Sequence, residues 1–181
     1  MKTFFTTLLF LGCFLGFSQE KYLTKNGTLH FEASVPSFEE VDATNGNVSG
    51  VLDAATGEFA ALALMKGFRF KVALMEEHFN ENYVESDTYP KAIFKGTIEN
   101  FDLSALSSEA RPYAAKGELT LHGKTKALSL PLMLSKDGDG ILATSTFTLN
   151  PEDFDIKIPQ VVRKKIAESV NVVAEFRLKK K

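Results

Sequence analysis

GELTLHGKTKALSLPLML, residues 117–134, reads as two β-strands joined by a very short turn. Leu119 and Leu121 alternate with Glu118, Thr120 and His122. Leu128, Leu130, Leu132 and Leu134 alternate with Ser129, Pro131 and Met133. A period of two sends successive side chains to opposite faces, so one face of each strand meets an apolar interior. Gly123-Lys124 suits a two-residue loop, because glycine supplies the positive φ that a type II′ turn needs at its first central position. That loop sets Leu119 against Leu128 and Leu121 against Lys126, with both leucine sets on one face and Lys126 at its rim. Pro131 faces outward and lacks a backbone donor, which predicts a ladder gap or a sheet edge there.

The same alternation recurs on both sides of this hairpin. Residues 28–35 place Leu29, Phe31, Ala33 and Val35 on one face, after a turn signal at Asn26-Gly27. Residues 48–53 form another short strand. Residues 58–70 are apolar on both faces and read as one long strand or a strand bent at Gly67. Residues 91–101 put Ala92, Phe94, Gly96 and Ile98 together. Residues 141–149 align Ile141, Ala143, Phe147 and Leu149, and residues 170–178 align Val170, Val172, Ala174, Phe176 and Leu178. From Leu74 the period changes: Met75, Phe79 and Tyr83 stand four apart, the mark of a short amphipathic helix. Asn150 as cap and Pro151 at the first helical position start a further helical turn. Residues 159–169 read as a second short helix with Val162 and Ile166 inward.

About eight strands in sequential hairpins make an all-β, antiparallel chain, folded as a sandwich or a closed barrel with one or two short helices in its connections. A barrel of about eight strands can fill its interior with side chains or hold one small ligand. Ala33, Ala92, Gly96, Gly117, Ala143 and Ala174 are small inward positions. They leave room inside or let the large neighbours fill it; the pattern alone does not separate a cavity from a solid core.

The 181 residues suffice for one domain, and a hydrophobic share of 44% supports a proper core. A formal charge of −2 argues against nucleic acid as a partner, since no basic excess is available to neutralise phosphates. Residues 1–18 read as a secretory signal: Lys2 opens it, residues 4–17 are apolar but too short for a typical span, and Gly16 and Ser18 suit cleavage before Gln19. Residues 19–181 are then the mature domain, periplasmic or secreted. Cys13 is the sole cysteine, so that domain has no disulfide and no thiol chemistry. Leu11-Gly12-Cys13 faintly resembles a lipoprotein site, which would anchor the chain through a lipid on Cys13. The apolar run continuing past Cys13 favours the soluble form.

Candidate chemistry is sparse. His30, His78 and His122 lack the close spacing of a metal motif, and His30 and His122 fall on outward strand faces, so no metal site is expected. His78 and His122 read as loop hydrogen-bonding residues. There is no Gly-x-Ser-x-Gly elbow, no framed carboxylate pair and no glycine-rich phosphate loop, so neither an enzyme nor a cofactor is expected. The inner-face residues Phe31, Phe94, Ile98, Leu119, Leu121, Leu128, Leu130, Phe147 and Phe176 form a core that would also line any tunnel. Lys126, Arg69 and Lys91, near strand ends, either meet a charged head group or stay solvated. Arg163-Lys164-Lys165 reads as the wet side of a short helix or a contact for an anionic membrane.

Three segments carry a family resemblance: EEHFNENYVESDTYPKAIFKG (76–96), GELTLHGKTKALSLPL (117–132) and FTLNPEDFDIKIP (147–159). Together they resemble the YceI-like family of bacterial polyisoprenoid- and lipid-binding proteins, with Leu-Thr-Leu-His-Gly the strongest single motif. Phe79 stands where the family often has Leu, and Asp155 where Gly is common. The resemblance implies a lipocalin-like barrel around an elongated apolar tunnel that holds an isoprenoid or fatty-acyl chain, outside the cytoplasm and without catalytic residues. The expected function is a carrier of such a chain, admitted near residues 74–90, with His78, Phe79, Tyr83, Lys91 and Lys126 at the mouth. The competing expectation is an exported interaction module with a solid barrel. A homodimer is compatible with either, without a residue-level argument for it.

Overall fold

The strands are β1 (Lys21–Ser34), β2 (Asp42–Asp53), β3 (Glu58–Leu64), β4 (Arg69–Phe70), β5 (Lys91–Ile98), β6 (Arg111–Leu121), β7 (Lys124–Asp137), β8 (Gly140–Leu149) and β9 (Ile166–Lys180). They come from a computed structural model that describes residues 20–35, 40–160, 162–164 and 166–181. The signal read at residues 1–18 lies outside them. Every pairing is antiparallel. The order β1-β9-β8-β7-β6-β5-β3-β2 returns to β1 through a β1–β2 ladder, which closes an eight-stranded barrel. The two-residue β4 is an annex on β2. Closure leaves the eight barrel strands without an open edge, and alternation then gives every strand one inward face. The α-helix α1 (Ala73–His78) continues into a π-helical turn over Phe79–Tyr83. No helix among the described residues is long and apolar enough to cross a membrane.

The central hairpin turns one residue earlier than the glycine signal suggested. His122 and Gly123 are its central residues, with φ of 50° and 72°, so the turn has the two positive φ values of type I′. Leu121 therefore pairs with Lys124, Leu119 with Lys126 and Gly117 with Leu128. The register differs by two residues from the expected one. A displacement of two keeps every side chain on its face, so the leucines still point inward. His122 sits in the turn, not on an outward strand face. Pro131 does mark a ladder gap. It pairs with Ala114 on β6, but the β7–β8 ladder runs only from Met133–Thr144 to Asp137–Gly140. The Ser145 hydroxyl donates to Pro131 O instead, at 2.5 Å.

Three other expectations change. Asn26-Gly27 is not a turn but part of a bulge inside β1, where the register to β2 shifts on either side of Gly27. Residues 58–70 do not form one strand: β3 ends at Leu64 and a 3₁₀ turn, Met65–Gly67, follows. The cause is Asn45, fully buried, whose Nδ2 donates to Leu64 O at 2.9 Å and whose Oδ1 accepts from Asn47 N at 2.9 Å. Gly67 packs on that amide so closely that a Cβ there would lie 2.5 Å from Asn45 Nδ2. The described residues within 159–169 are not helical. Ile166 begins β9, where it pairs with Ser34 of β1, and these ladder bonds outweigh a short helical pattern.

The interior divides along the barrel axis. At one end Phe59 meets Phe176 edge-to-face at 5.5 Å and Phe94 at 6.4 Å, above Leu52, Leu134, Ile141 and Leu178, all essentially without solvent exposure. Each such side chain contributes about 1.5–3 kcal/mol by leaving water. The other end is not filled.

Candidate functional site: an apolar cavity at one end of the barrel

The unfilled end is a cavity of about 510 Å³. Its walls are the inward residues nearest one rim: Leu29, Phe31 and Ala33 of β1, Ala92 of β5, Leu119 and Leu121 of β6, Phe147 and Leu149 of β8, and Val170 and Val172 of β9. Antiparallel alternation explains the set, because the late part of one strand lies beside the early part of the next. Phe31, Phe68, Phe70 and Phe79 form one aromatic wall, with ring centroids 5.1–5.8 Å apart. Among the described residues lining the cavity, only His78 and Tyr83 have polar side chains, and none carries a permanent charge. Burial pushes the Tyr83 hydroxyl pKa above its ordinary value. An enclosure of this kind binds by desolvating apolar surface, with one or two hydrogen bonds to orient what it holds.

Two connections cover the mouth. The first is α1 with its π-helical turn, which brings Leu74, Met75, His78, Phe79 and Tyr83 over the opening. Glu76 ties it down by accepting from Arg69 Nη1 at 2.8 Å and from Phe70 N at 3.2 Å. Asn80 Nδ2 donates to Glu76 O at 2.8 Å, while Asn80 Oδ1 is buried without a partner among the described residues. An unsatisfied buried acceptor costs about 1–3 kcal/mol, so this cover is held less firmly than the barrel wall beneath it. The second cover is the 3₁₀ turn Pro151–Phe154, capped by Asn150 Oδ1 on Glu152 N, together with Ile156, Ile158 and Val162. It stands beside the half of β7 that has left β8.

His122 fastens both covers to the hairpin. Its Nδ1 donates to Phe154 O at 2.9 Å, its Nε2 meets Glu85 Oε2 at 2.8 Å, and its ring packs edge-on against Tyr89 at 4.6 Å. These partners explain why a histidine accepts positive φ in the turn. Lys124 pairs with Asp155 at 2.8 Å, and this hydrogen-bonded contact lowers the Asp155 pKa and raises that of Lys124. Asp155 has φ of 56°, a left-handed conformation that suits the glycine common at this place in the family that the sequence resembles. His122→Ala removes both hydrogen bonds and leaves a buried carbonyl unpaired. It is expected to lower stability by about 2 kcal/mol, measured by chemical denaturation; a variant as stable as the parent would show that the clasp carries no weight.

The residues singled out from sequence separate into two groups. Phe31, Leu119, Leu121 and Phe147 line the cavity, and His78, Phe79 and Tyr83 lie on its cover. Phe94, Ile98, Leu130 and Phe176 are buried in the filled end, and Leu128 faces inward away from the cavity. Lys91 and Lys126 are exposed and do not reach it; Lys126 lies 3.6 Å from Asp153, and Arg69 is bound to Glu76. Arg163 pairs with Glu152 at 2.7 Å, and residue 165 lies outside the described residues. His30 faces Asp42 and Thr44 on the outer surface, and no three metal-ligating side chains cluster among the described residues. Phe68 and Phe70 were missed because their stretch is apolar on both faces. Ile156 and Ile158 were missed because an irregular loop has no period to read.

No curated protein sequence matches this chain. Solved structures do. A polyisoprenoid binding domain from Saccharophagus degradans, implicated in plant cell wall breakdown, is similar with a TM-score of 0.76 at 15% identity, over 90% of this chain and 99% of that one. BcnA of Burkholderia cenocepacia is similar with a TM-score of 0.67 at 14% identity, over 83% and 95%. The YceI protein of Campylobacter jejuni gives 0.58 at 15% identity, over 79% and 88%. At these identities the likeness establishes the shared barrel. The sequence profile of the YceI-like domain matches residues 22–178, nearly the whole described barrel, and the chain belongs to the YceI-like family.

Proposed function

We propose that this protein binds one long apolar molecule, an isoprenoid or fatty-acyl lipid, and carries or sequesters it outside the cytoplasm. The observation that carries the reading is the 510 Å³ cavity, whose lining among the described residues has no permanent charge and two polar side chains, His78 and Tyr83. Its mechanism is burial. Each methylene taken from water into such a site contributes about 0.8 kcal/mol, so a chain needs few polar contacts to be held. The polyisoprenoid binding domain among its structural neighbours supports the ligand class. The lysines read as head-group contacts lie off the cavity, and Arg69 is paired, which favours a neutral head within reach of the Tyr83 hydroxyl. Residues 1–18, read as an export signal, fit a periplasmic or secreted carrier.

Native mass spectrometry of the purified protein, followed by organic extraction, tests the proposal. The expected result is one isoprenoid or acyl lipid per chain, or its uptake when offered. A protein that is empty and stays empty in the presence of long-chain lipids would overturn it.

A further inference from the structure

We infer that His78 and Tyr83 select the head of the bound chain, and that the head they fit is an uncharged alcohol and not a carboxylate or phosphate. The inference rests on the chain-binding reading above and adds the class of head group to it. Both residues belong to the same cover and both line the cavity. They stand five apart, a spacing that an α-helix would turn to different faces. The π-helical turn over Phe79–Tyr83 prevents this. Val84 N donates to Phe79 O at 3.0 Å, so the turn closes on the fifth residue and sets residues five apart on one face. The cover thereby presents an imidazole and a phenol to one opening, His78 exposed and Tyr83 half-buried.

Neither polar tip is satisfied among the described residues. His30 and His122 have hydrogen-bond partners there, whereas the His78 ring has none. Burial alone raises the Tyr83 pKa, with no hydrogen bond or charge beside it, so the phenol stays protonated and able to donate. A neutral imidazole offers one donor and one acceptor. An alcohol matches the pair, because its hydroxyl accepts from Tyr83 while donating to His78. A carboxylate has nothing to donate, and it meets charge of its own sign. The cover, residues 73–83, carries Glu76, Glu77 and Glu81 and no lysine or arginine. Lys66, Arg69, Lys71 and Arg163, each next in sequence to a lining residue, already pair with Asp87, Glu76, Glu40 and Glu152. Lys91 and Lys157 are exposed and line no part of the cavity. An anion held under this cover would lose its water without gaining a cation.

The test is displacement of aminoanthracene, an uncharged apolar fluorophore, from the full mature protein by dodecanol, dodecyl chloride and dodecanoate. It is run at neutral pH, where the acid is ionised. The parent is expected to bind dodecanol at least about tenfold more tightly than dodecanoate. Tyr83→Phe keeps the ring and removes the hydroxyl. It is expected to weaken dodecanol about tenfold and to leave dodecyl chloride, which offers almost nothing to a hydrogen bond, unchanged. His78→Leu is expected to show the same pattern, and unchanged chloride binding certifies that each variant keeps its cavity. Dodecanoate bound as tightly as dodecanol by the parent overturns the head-group assignment while leaving chain binding intact. So does either variant if it weakens alcohol and chloride alike, or weakens neither. A parent protein that binds none of the three overturns the chain-binding reading and this inference with it.

Discussion

Gly117→Ala is expected to lose at least about 3 kcal/mol of stability, enough to leave a marginal domain largely unfolded at 37 °C. Gly117 of β6 pairs with Gly96 of β5. A Cβ added at Gly117 would meet Lys95 O and Gly96 Cα well inside van der Waals contact, and Lys95 C at 2.7 Å. All three are backbone atoms, so no side chain can rotate away. β5 and β6 would have to separate, and the ladder between Ile93–Thr120 and Ile98–Ala115 would stretch with them. The glycine pair lets two strands approach closely where the barrel wall turns a corner. Gly46→Ala is the control, because a Cβ there meets nothing within 4 Å and its φ is not positive. That variant should match or slightly exceed the parent, since alanine lowers the entropy of the unfolded chain. Urea denaturation of both variants measures the difference. Equal stabilities would mean that β5 and β6 do not approach as described.

Ala92→Phe is expected to weaken binding of an apolar chain on the order of a hundredfold while leaving stability unchanged or raising it by up to about 1 kcal/mol. Ala92 faces the cavity from the start of β5 and pairs with Ala63. A phenyl group placed there projects into empty volume, where it gains contacts instead of clashing. It also takes the space of several methylenes of ligand. Opposite signs in the two measurements identify a site kept open at the expense of packing. A fall in stability with unchanged binding would show that the space around Ala92 is not where a chain lies. Thermal unfolding and probe displacement on the same sample read both quantities.

These two positions also show how far the sequence could be read. Gly117 and Ala92 both belong to a set of small inward residues that could leave room or let larger neighbours fill it. The structure assigns them different tasks. Ala33 and Ala92 leave space, Ala143 and Ala174 lie in the filled end, and Gly96 with Gly117 brings two backbones together. Period-two alternation states which face a residue occupies but not what stands opposite it across a barrel. The hairpin illustrates the same boundary. Its leucine faces were legible because face depends only on parity. Its register was not, because the turn was chosen by His122, whose ring is held by Phe154 O and Glu85. Those partners lie 32 and 37 residues away in the chain.

From its sequence alone, this chain determines an antiparallel all-β architecture, the inward set on each strand, the short helix near Met75 and Phe79, and the YceI-like motifs. All of these are local: alternation, spacing and short words need no information from distant residues. Tertiary structure decided that the interior is half solid and half open. That division depends on Phe176 meeting Gly27 and Gly50, on Asn45 breaking the strand at Gly67, and on two connections folding over one rim. Each is a contact between residues far apart in the chain, set by volume and hydrogen-bond satisfaction in a closed barrel, which no local pattern encodes.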